Sequence, residues 1–228
     1  MTAQKLPGST AARHGSGDAD LTIMVAAHDA LRNDLTSLAR AAQDPGRDSP
    51  DRQRSVAAGW ELFKRQLHLH HTAEDDLIWP ALRERLGHSA NALSVLDEME
   101  AEHGRIDPLL AAVDEGFAAA AGPAGQPDAD RLAGAVDGLA ATLAGHLAHE
   151  EKDGLPLIGM ALTAAEWRAV GFKIARQNGL AAGGEMFSWI LSSAAPGQAR
   201  AVARQLPPPA RVLYKAVWKP RFEKTRRW

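Results

Sequence analysis

Four long stretches of the chain repeat apolar residues every three or four positions, which is the period of a helix buried along one face. The stretches run over residues 20–42, 51–86, 89–121 and 128–152. The connections between them are short and contain Gly, Pro or Asp, which favour turns. Long amphipathic helices with short connections predict an all-α fold, an antiparallel up-down four-helix bundle.

A single pattern occurs twice along these stretches. Each copy has a lone His on its first helix and a His-x-x-x-Glu, followed by a proline, on its second. The matched residues are His28 and His103, 75 positions apart, and, 76 positions apart, His70 and His146, Glu74 and Glu150, and Pro80 and Pro156. One helical hairpin is therefore used twice, and two such hairpins would pack as a pseudo-twofold bundle.

The repeated His and Glu residues occupy positions where large apolar side chains are expected. On the second helix Trp60, Phe63 and Leu67 mark the buried seam. Continuing the seam of each helix reaches, over the four helices, His28, His70, Glu74, His103, His146 and Glu150. These six polar side chains are thus predicted to converge inside the bundle.

The other five histidines are expected on the surface. His71 lies on the side of its helix that carries Lys64 and Asp75, which indicates a solvated face. The remaining four surface histidines are His14, His68, His88 and His149.

A polar core of this kind needs compensating charge. Two buried carboxylates without partners are costly, and neutral imidazoles cannot neutralise them, so a purely structural polar core is the weaker alternative. A pair of metal cations would turn the carboxylates into ligands and keep the imidazoles neutral. The chain has no cysteine, which excludes thiolate, iron–sulfur and disulfide chemistry. Imidazole and carboxylate donors suit Fe, Mn or Zn.

The arrangement His, His-x-x-x-Glu, His, His-x-x-x-Glu resembles the hemerythrin-like (HHE cation-binding) family. The neighbouring residues are similar as well, in the segments His70-His-Thr-Ala-Glu-Asp-Asp-Leu-Ile-Trp-Pro80 and His146-Leu-Ala-His-Glu-Glu, with Leu155-Pro156 after the latter. The resemblance covers roughly residues 20–158 and implies a bundle that holds metal.

The resemblance also implies a cofactor and a ligand set. The cofactor would be two Fe ions, bridged by Glu74 and Glu150 and by an oxo or hydroxo group. One iron would take His28 and His70, and the other would take His103 and His146. Open positions would accept O2, peroxide or nitric oxide.

One position departs from the oxygen-carrying members of the family, which have a His-x-x-x-His on the third helix. Here the residue four positions after His103 is Asp107. Either Asp107 is a ligand, or the second iron keeps an extra open position and Asp107 is a polar residue ahead of Pro108 at the bundle edge. An open or anionic position fits redox chemistry, peroxide chemistry or sensing better than reversible oxygen carriage.

Sequence outside the bundle indicates two further regions. Residues 1–19 are polar, lack the apolar core of a signal peptide and predict a flexible arm. With no apolar stretch of the ~18 residues that suggest a membrane span, we expect a cytoplasmic protein. Residues 159–228 form a helical extension, with a helix from Thr163 to about Gln177 and another from about Ala210 to Trp218.

Charge is distributed unevenly between these regions. Residues 200–228 contain nine Lys or Arg and one acid, so the tail is near +8 in a chain whose net charge is −2. The apolar stripe of the last helix, formed by Val212, Leu213, Ala216 and Val217, either packs on the acidic bundle or meets a protein partner or an anionic membrane surface. No nucleic-acid-binding module accompanies the charge, so nucleic acid is not an expected partner.

Three classes of function fit these observations. The first is a di-iron protein that handles O2, peroxide or nitric oxide in sensing, scavenging or redox chemistry. The second is a di-iron oxidase acting on an organic substrate, and the third is a metal-responsive interaction module with the basic tail as its docking element. The sequence does not decide whether the protein is an enzyme.

Overall fold

The computed structural model describes residues 19–43, 49–120 and 126–228. Most of the predicted N-terminal arm, with His14, lies outside the described residues, as do parts of the connections after the first and third helices. The described residues contain no extended strand pairing, and nearly all of them are helical. The all-α prediction is therefore confirmed.

Ten α-helical and three π-helical segments are formed by the described residues. In chain order they are α1 (Thr22–Ala42), α2 (Pro50–Ala73), π1 (Glu74–Ile78), α3 (Trp79–Leu86), α4 (Ala90–Ala120), α5 (Gln126–His149), π2 (Glu150–Gly154), α6 (Leu155–Ala161), α7 (Ala164–Ser193), α8 (Pro196–Gln205), α9 (Pro208–Leu213), π3 (Tyr214–Trp218) and α10 (Lys219–Glu223). Segments α2, π1 and α3 follow one another without a break, as do α5, π2 and α6.

Each π-helix begins six residues before a proline. The three pairs are Glu74 with Pro80, Glu150 with Pro156, and Tyr214 with Pro220. Proline lacks an N–H and its ring clashes with the carbonyl four residues earlier, so a regular α-helix is disrupted there. The wider turn relieves this conflict by shifting the bonding by one residue, as when the Trp79 N–H donates to the Glu74 carbonyl. The predicted end of the fourth helical stretch at residue 152, ahead of Gly154 and Pro156, is therefore wrong, because π2 carries the helix onward into α6.

Two apolar clusters lie on either side of the six predicted ligands along each helix. The smaller cluster contains Met24, before His28 on α1, and Trp79, after Glu74. The larger cluster contains Leu31 and Leu67, which lie on the opposite sides of these ligands in sequence. The polar residues thus form a layer between the two apolar clusters, and the clusters shield this layer from water.

The C-terminal extension, residues 163–228, packs against this core. Its first helix begins at the predicted capping box, in which Thr163 and Glu166 exchange hydrogen bonds, and it continues past the expected end with a sharp bend at Gly179, whose φ of 79° favours glycine. Trp189 reaches the larger apolar cluster and donates its indole N–H to Asp34 at 2.8 Å. None of the helices formed by the described residues combines the length and apolarity needed to cross a bilayer.

Candidate metal centre

The six residues predicted from the seams do meet in the polar layer. Their side chains are almost completely buried: His28, Glu74 and Glu150 are 0% exposed, His146 is 2%, His103 is 6%, and the His70 side chain is 8%. Donor atoms that could bind cations fall into two groups, within each of which they lie less than 4.8 Å apart. Glu74 belongs to both groups, so one carboxylate lies between two prospective metal positions.

The first group contains His28, His70, Glu74 and Glu150. The Nε2 atoms of His28 and His70 face each other at 3.2 Å. The same atom of His28 lies 3.1 Å from Glu150 Oε2, and His70 Nε2 lies 3.1 Å from Glu74 Oε1. Two nitrogens and two carboxylates from the four segments α1, α2, π1 and π2 therefore converge on one point.

The second group contains His71, Glu74, His103 and His146. His103 Nε2 lies 3.5 Å from Glu74 Oε2, and the His71 and His103 rings stack with centroids 3.9 Å apart. Three imidazoles and one shared carboxylate thus surround this second point, against two imidazoles at the first.

The prediction that His71 lies on the surface is wrong. His71 is only 9% exposed, and its Nε2 atom is buried without a hydrogen-bond partner. It follows Leu67 by four positions, as His70 follows it by three, so both flank the buried seam. The sequence therefore did contain a signal for the burial of His71. A helix that packs against two neighbouring helices buries a wide stripe, and that stripe includes both His70 and His71.

Asp107 is exposed and belongs to neither group of donor atoms. The structure instead brings His71 to the group that contains His103. His68 and His88 are exposed as predicted, whereas His149 is partly buried, with 25% of its side chain accessible.

Carboxylates outside the two groups hold the imidazoles by their other nitrogen. Asp75 lies 2.9 Å from His103 Nδ1, and Glu151 lies 2.9 Å from His28 Nδ1. Because an ionised carboxylate can only accept, each Nδ1 carries the proton and donates it, which leaves Nε2 as a bare lone pair facing the centre. Both acids directly follow a repeated Glu, at the same spacing of 76 residues, a signal that the sequence analysis missed.

A third carboxylate, Glu102, binds two histidines at once. Its Oε2 lies 3.0 Å from His146 Nδ1 and its Oε1 lies 3.0 Å from His149 Nδ1. Burial favours the neutral acid, but the hydrogen bonds from His146 and His149 outweigh it and hold the pKa of Glu102 below its ordinary value. Glu102 therefore supplies negative charge beside the second group.

Burial and neighbouring charges disfavour the charged forms of three residues in the layer. Burial, followed by the neighbouring Glu150 carboxylate, raises the pKa of Glu74 well above its ordinary value. Burial, followed by the surrounding imidazoles, lowers the pKa of His70 and of His71. His28 differs, because burial lowers its pKa but the hydrogen bonds and charges of Glu150 and Glu151 outweigh this effect and raise the pKa. His70 and His71 are consequently neutral and able to bind metal, while Glu74 needs an external positive charge to remain ionised.

The donor atoms fit a pair of divalent or trivalent cations. Both carboxylate oxygens of Glu74 and of Glu150 are buried without a hydrogen-bond partner, as are the Nε2 atoms of His71, His103 and His146. Buried polar atoms in proteins are normally paired, so this concentration of unpaired acceptors is anomalous for a purely structural core. Cations at the two points would satisfy these atoms, and the nitrogen and oxygen donors suit iron.

Comparison with known proteins agrees with this chemistry. The sequence model of the hemerythrin HHE cation-binding domain matches residues 19–158, which is more than half of the chain. No curated protein and no solved structure matched the chain.

Proposed function

The chain belongs to the hemerythrin HHE cation-binding domain family, and we propose that it is a non-heme di-iron protein that binds or reacts with O2, hydrogen peroxide or nitric oxide. A role in sensing, scavenging or redox chemistry follows from this proposal. The two iron ions, when bound, would supply redox equivalents and coordination positions that a small ligand can enter.

The proposed ligand set follows the two groups of donor atoms. His28 and His70 would hold one ion, while His71, His103 and His146 would hold the other. Glu74 would be shared by both ions, and Glu150 would complete the site. Each ion would have four donor residues, two imidazoles and two carboxylates at one and three imidazoles and one carboxylate at the other, so the two positions differ in the type of donor rather than in its number.

The observation that carries the proposal is the shared, unpaired carboxylate of Glu74. Its two oxygens point toward different imidazoles, at 3.1 Å from His70 Nε2 and 3.5 Å from His103 Nε2. A single metal would satisfy only one of the groups and would leave the other with unpaired buried atoms, which is costly. Two ions satisfy both.

Access to the centre favours small ligands over an organic substrate. The donor residues are all less than a tenth exposed. Two surface cavities, of 620 and 30 Å³, are lined by other residues and do not open onto the donor atoms. Molecules with two non-hydrogen atoms can enter such a packed layer with little rearrangement, and this supports the proposed ligands over the alternative of an oxidase for larger substrates.

Metal analysis combined with absorbance spectroscopy tests the proposal. Protein reconstituted with ferrous iron and exposed to air should contain close to two irons per chain, as in other paired-metal bundles, and should absorb in the near ultraviolet with a tail into the visible. Anaerobically reduced protein should then change its spectrum when O2, hydrogen peroxide or nitric oxide is added. Retention of a single ion, or a spectrum unaffected by all three ligands, would refute the proposal.

Two further expectations, the up-down course of the helices and a cytoplasmic location, are part of the same proposal. The smaller apolar cluster draws on the start of α1 and α4 and on the segments α3 and α6, which supports an up-down course with alternating direction. A cytoplasmic location also stays a prediction.

A further inference from the structure

The C-terminal extension differs from the rest of the chain in charge. Residues 163–228 contain twelve Lys or Arg and three acidic residues, whereas residues 1–162 contain fourteen Lys or Arg and 25 acidic residues. The extension is thus near +9 and the remainder near −11, a separation larger than the tail alone suggests.

These cations are not used to attach the extension to the acidic part of the chain. Among the described residues, Lys219 is the only cation of the extension with a direct ion pair, and its partner is Glu223 on the same helix. Arg211 and Arg227 donate to backbone carbonyls within the extension. The positive charge therefore faces outward and is available to an external anion.

Apolar side chains are exposed among the same cations. Of the six large apolar side chains that are exposed in the described part of the chain, four lie in the extension: Phe172 at 67%, Leu180 at 76%, Val212 at 68% and Val217 at 47%. The expectation that the stripe of the last helix packs on the bundle is wrong for Val212 and Val217.

The segments α9, π3 and α10 form one continuous helix, called the last helix here. The side of this helix that faces away from Val212 and Val217 packs on the protein and fixes its orientation. Leu213, Tyr214, Trp218 and Phe222 are half-buried, and Phe222 packs on the larger apolar cluster. The Trp218 ring lies where a Cβ on Gly184 would stand, 2.6 Å from that position, so only glycine allows this contact with α7. Leu180 is one helical turn before Gly184, which places it beside the last helix.

We propose that this face of the extension docks on an anionic phospholipid bilayer. The basic face is defined here as the exposed residues Leu180, which follows the bend at Gly179, together with Val212, Lys215, Val217, Arg221 and Lys224 in or directly after the last helix. Its cations would bind lipid phosphates, and its apolar side chains would enter the boundary between headgroups and acyl chains.

An anionic bilayer would account for both the exposed cations and the exposed apolar side chains of the face. Other anionic partners would account for the cations alone. Nucleic acid would engage the cations through phosphates but would leave Leu180 and Val212 in contact with water. A second copy of the chain could offer its acidic surface, but outside the extension only Val25 and Met160 are exposed large apolar side chains in the described residues, so it would pair charges and offer little apolar surface. Lipid takes both groups at once.

Vesicle cosedimentation of the iron-loaded, full-length protein tests the proposal. We expect binding to vesicles of phosphatidylcholine mixed with phosphatidylglycerol, weaker binding as salt is raised, and little binding to phosphatidylcholine alone. The triple variant Lys215→Gln, Arg221→Gln, Lys224→Gln should lower the partition coefficient about a hundredfold, since each cation contributes roughly fivefold. None of these three side chains bonds to another described residue, so the fold should be retained.

A matched variant separates the face from net charge. Arg40→Gln, Arg54→Gln, Arg131→Gln removes the same charge from exposed positions outside the extension and should change vesicle binding little. The apolar contribution is tested by Leu180→Gln with Val212→Gln, which should weaken binding about tenfold at high salt.

Three results would overturn the proposal. They are no binding of the wild-type protein to anionic vesicles at low salt, equal loss in the two triple variants, and stronger retention by a nucleic acid fragment than by vesicles. Analytical ultracentrifugation without lipid adds a fourth, since self-association that the Lys215, Arg221, Lys224 variant abolishes would assign the face to a second copy of the chain.

Discussion

The two repeat-related halves of the metal centre are alike in their inner ligands and differ in what surrounds them. His70 and Glu74 match His146 and Glu150 at 76 residues, and Asp75 matches Glu151 at the same spacing. His71, by contrast, matches the buried Leu147. One half thus contributes an imidazole where the other contributes only packing, which gives the two metal positions three and two imidazoles.

A second asymmetry lies on the helices with the lone histidines. Glu102, which holds His146, matches Ala27 at the spacing of 75 residues, so His70 has no counterpart to this carboxylate. Asp34, which holds two indoles of the extension, matches Leu109. The repeat therefore supplies a symmetric inner layer, and single differences around it would make the two proposed metal positions inequivalent.

Replacing the shared carboxylate should have the largest effect. Glu74→Gln removes a donor from both groups, so we expect iron content to fall from close to two per chain to nearly none. Its repeat partner Glu150 belongs to one group only, and Glu150→Gln should keep part of the iron. Iron analysis with circular dichroism, to confirm that helix content is unchanged, makes the comparison. Equal iron loss in the two variants would mean that both carboxylates are shared.

The pair His71 and Leu147 separates ligation from packing. His71→Ala should release the ion of the three-imidazole group and retain the other, because His71 Nε2 faces that group. Leu147→Ala should retain both ions and lower the free energy of unfolding by about 2–5 kcal/mol, the usual cost of a buried leucine truncation. Iron content and urea unfolding give the two readouts. Full iron retention in His71→Ala would show that the fifth imidazole is not a ligand.

Asp34 makes the first half pH-sensitive in a way that Leu109 cannot. Burial, against the indole N–H bonds of Trp189 and Trp228, raises the pKa of Asp34 to about 6. An unfolded Asp has a pKa of about 3.9, so between about pH 4 and 6 the folded state retains a proton that the unfolded state has lost. The free energy of unfolding should therefore fall as pH rises through this window, by about 2–3 kcal/mol.

The test for this pH dependence is urea unfolding of the wild type and Asp34→Asn across the window. The variant cannot ionise and should lack the fall, while protonation of the metal ligands affects both proteins equally. Asp29→Asn, on the same helix, serves as a control because Asp29 is 45% exposed. An unchanged slope in Asp34→Asn would contradict the assignment.

The matched carboxylates behind the imidazoles should have smaller, equal effects. Asp75→Asn and Glu151→Gln each remove the acceptor of one Nδ1–H, which loosens the orientation of His103 or His28. Carboxylates in this role typically contribute 10- to 100-fold, as an order of magnitude, in metal affinity. Competition with an iron chelator measures this loss, and the exposed neighbour Asp76→Asn provides the control. A much larger effect in one variant would show that the symmetry of the layer is only geometric.

Asp107 should have the smallest effect. Since its side chain is exposed and outside both groups, Asp107→His should leave iron content and the absorbance spectrum unchanged. A gain or loss of iron in this variant would show that the end of the site near His103 is more open than the structure indicates.

The sequence was sufficient to predict the helices and the burial of the six repeated polar residues, because both depend on periodicity. The positions of His28 and Glu74 are fixed by the spacing of the leucines around them, which any amphipathic helix in a bundle must obey. Asp75 and Glu151 were not anticipated because each reaches across to a lone His of the other half, at separations of 28 and 123 residues. Such contacts depend on how helices pack, which local periodicity does not contain.

The path of the helices near the prolines could not be predicted from the periodicity of the sequence alone. Pro156 suggests a helix end by its missing N–H, yet π2 continues the helix through it. The proposed ligand Glu150 is the first residue of that turn, in which the shifted hydrogen bonding changes the rotation of the side chains that follow. A similar turn at Tyr214, away from the donor atoms, indicates that metal ligation is not required for it. A proline alone is not sufficient either, because Pro108 lies inside α4 without such a turn.

The hydrogen bond between His28 and Glu151, 123 residues apart, has a consequence for the order of events during synthesis. A ribosome adding about 5–20 residues per second would need roughly 6–25 s between these two residues. Throughout that interval the nascent first half exposes an apolar surface and a set of ligands that no partner yet covers. Any metal at the proposed centre would therefore be enclosed only late in the synthesis of each chain, after the second half has been added.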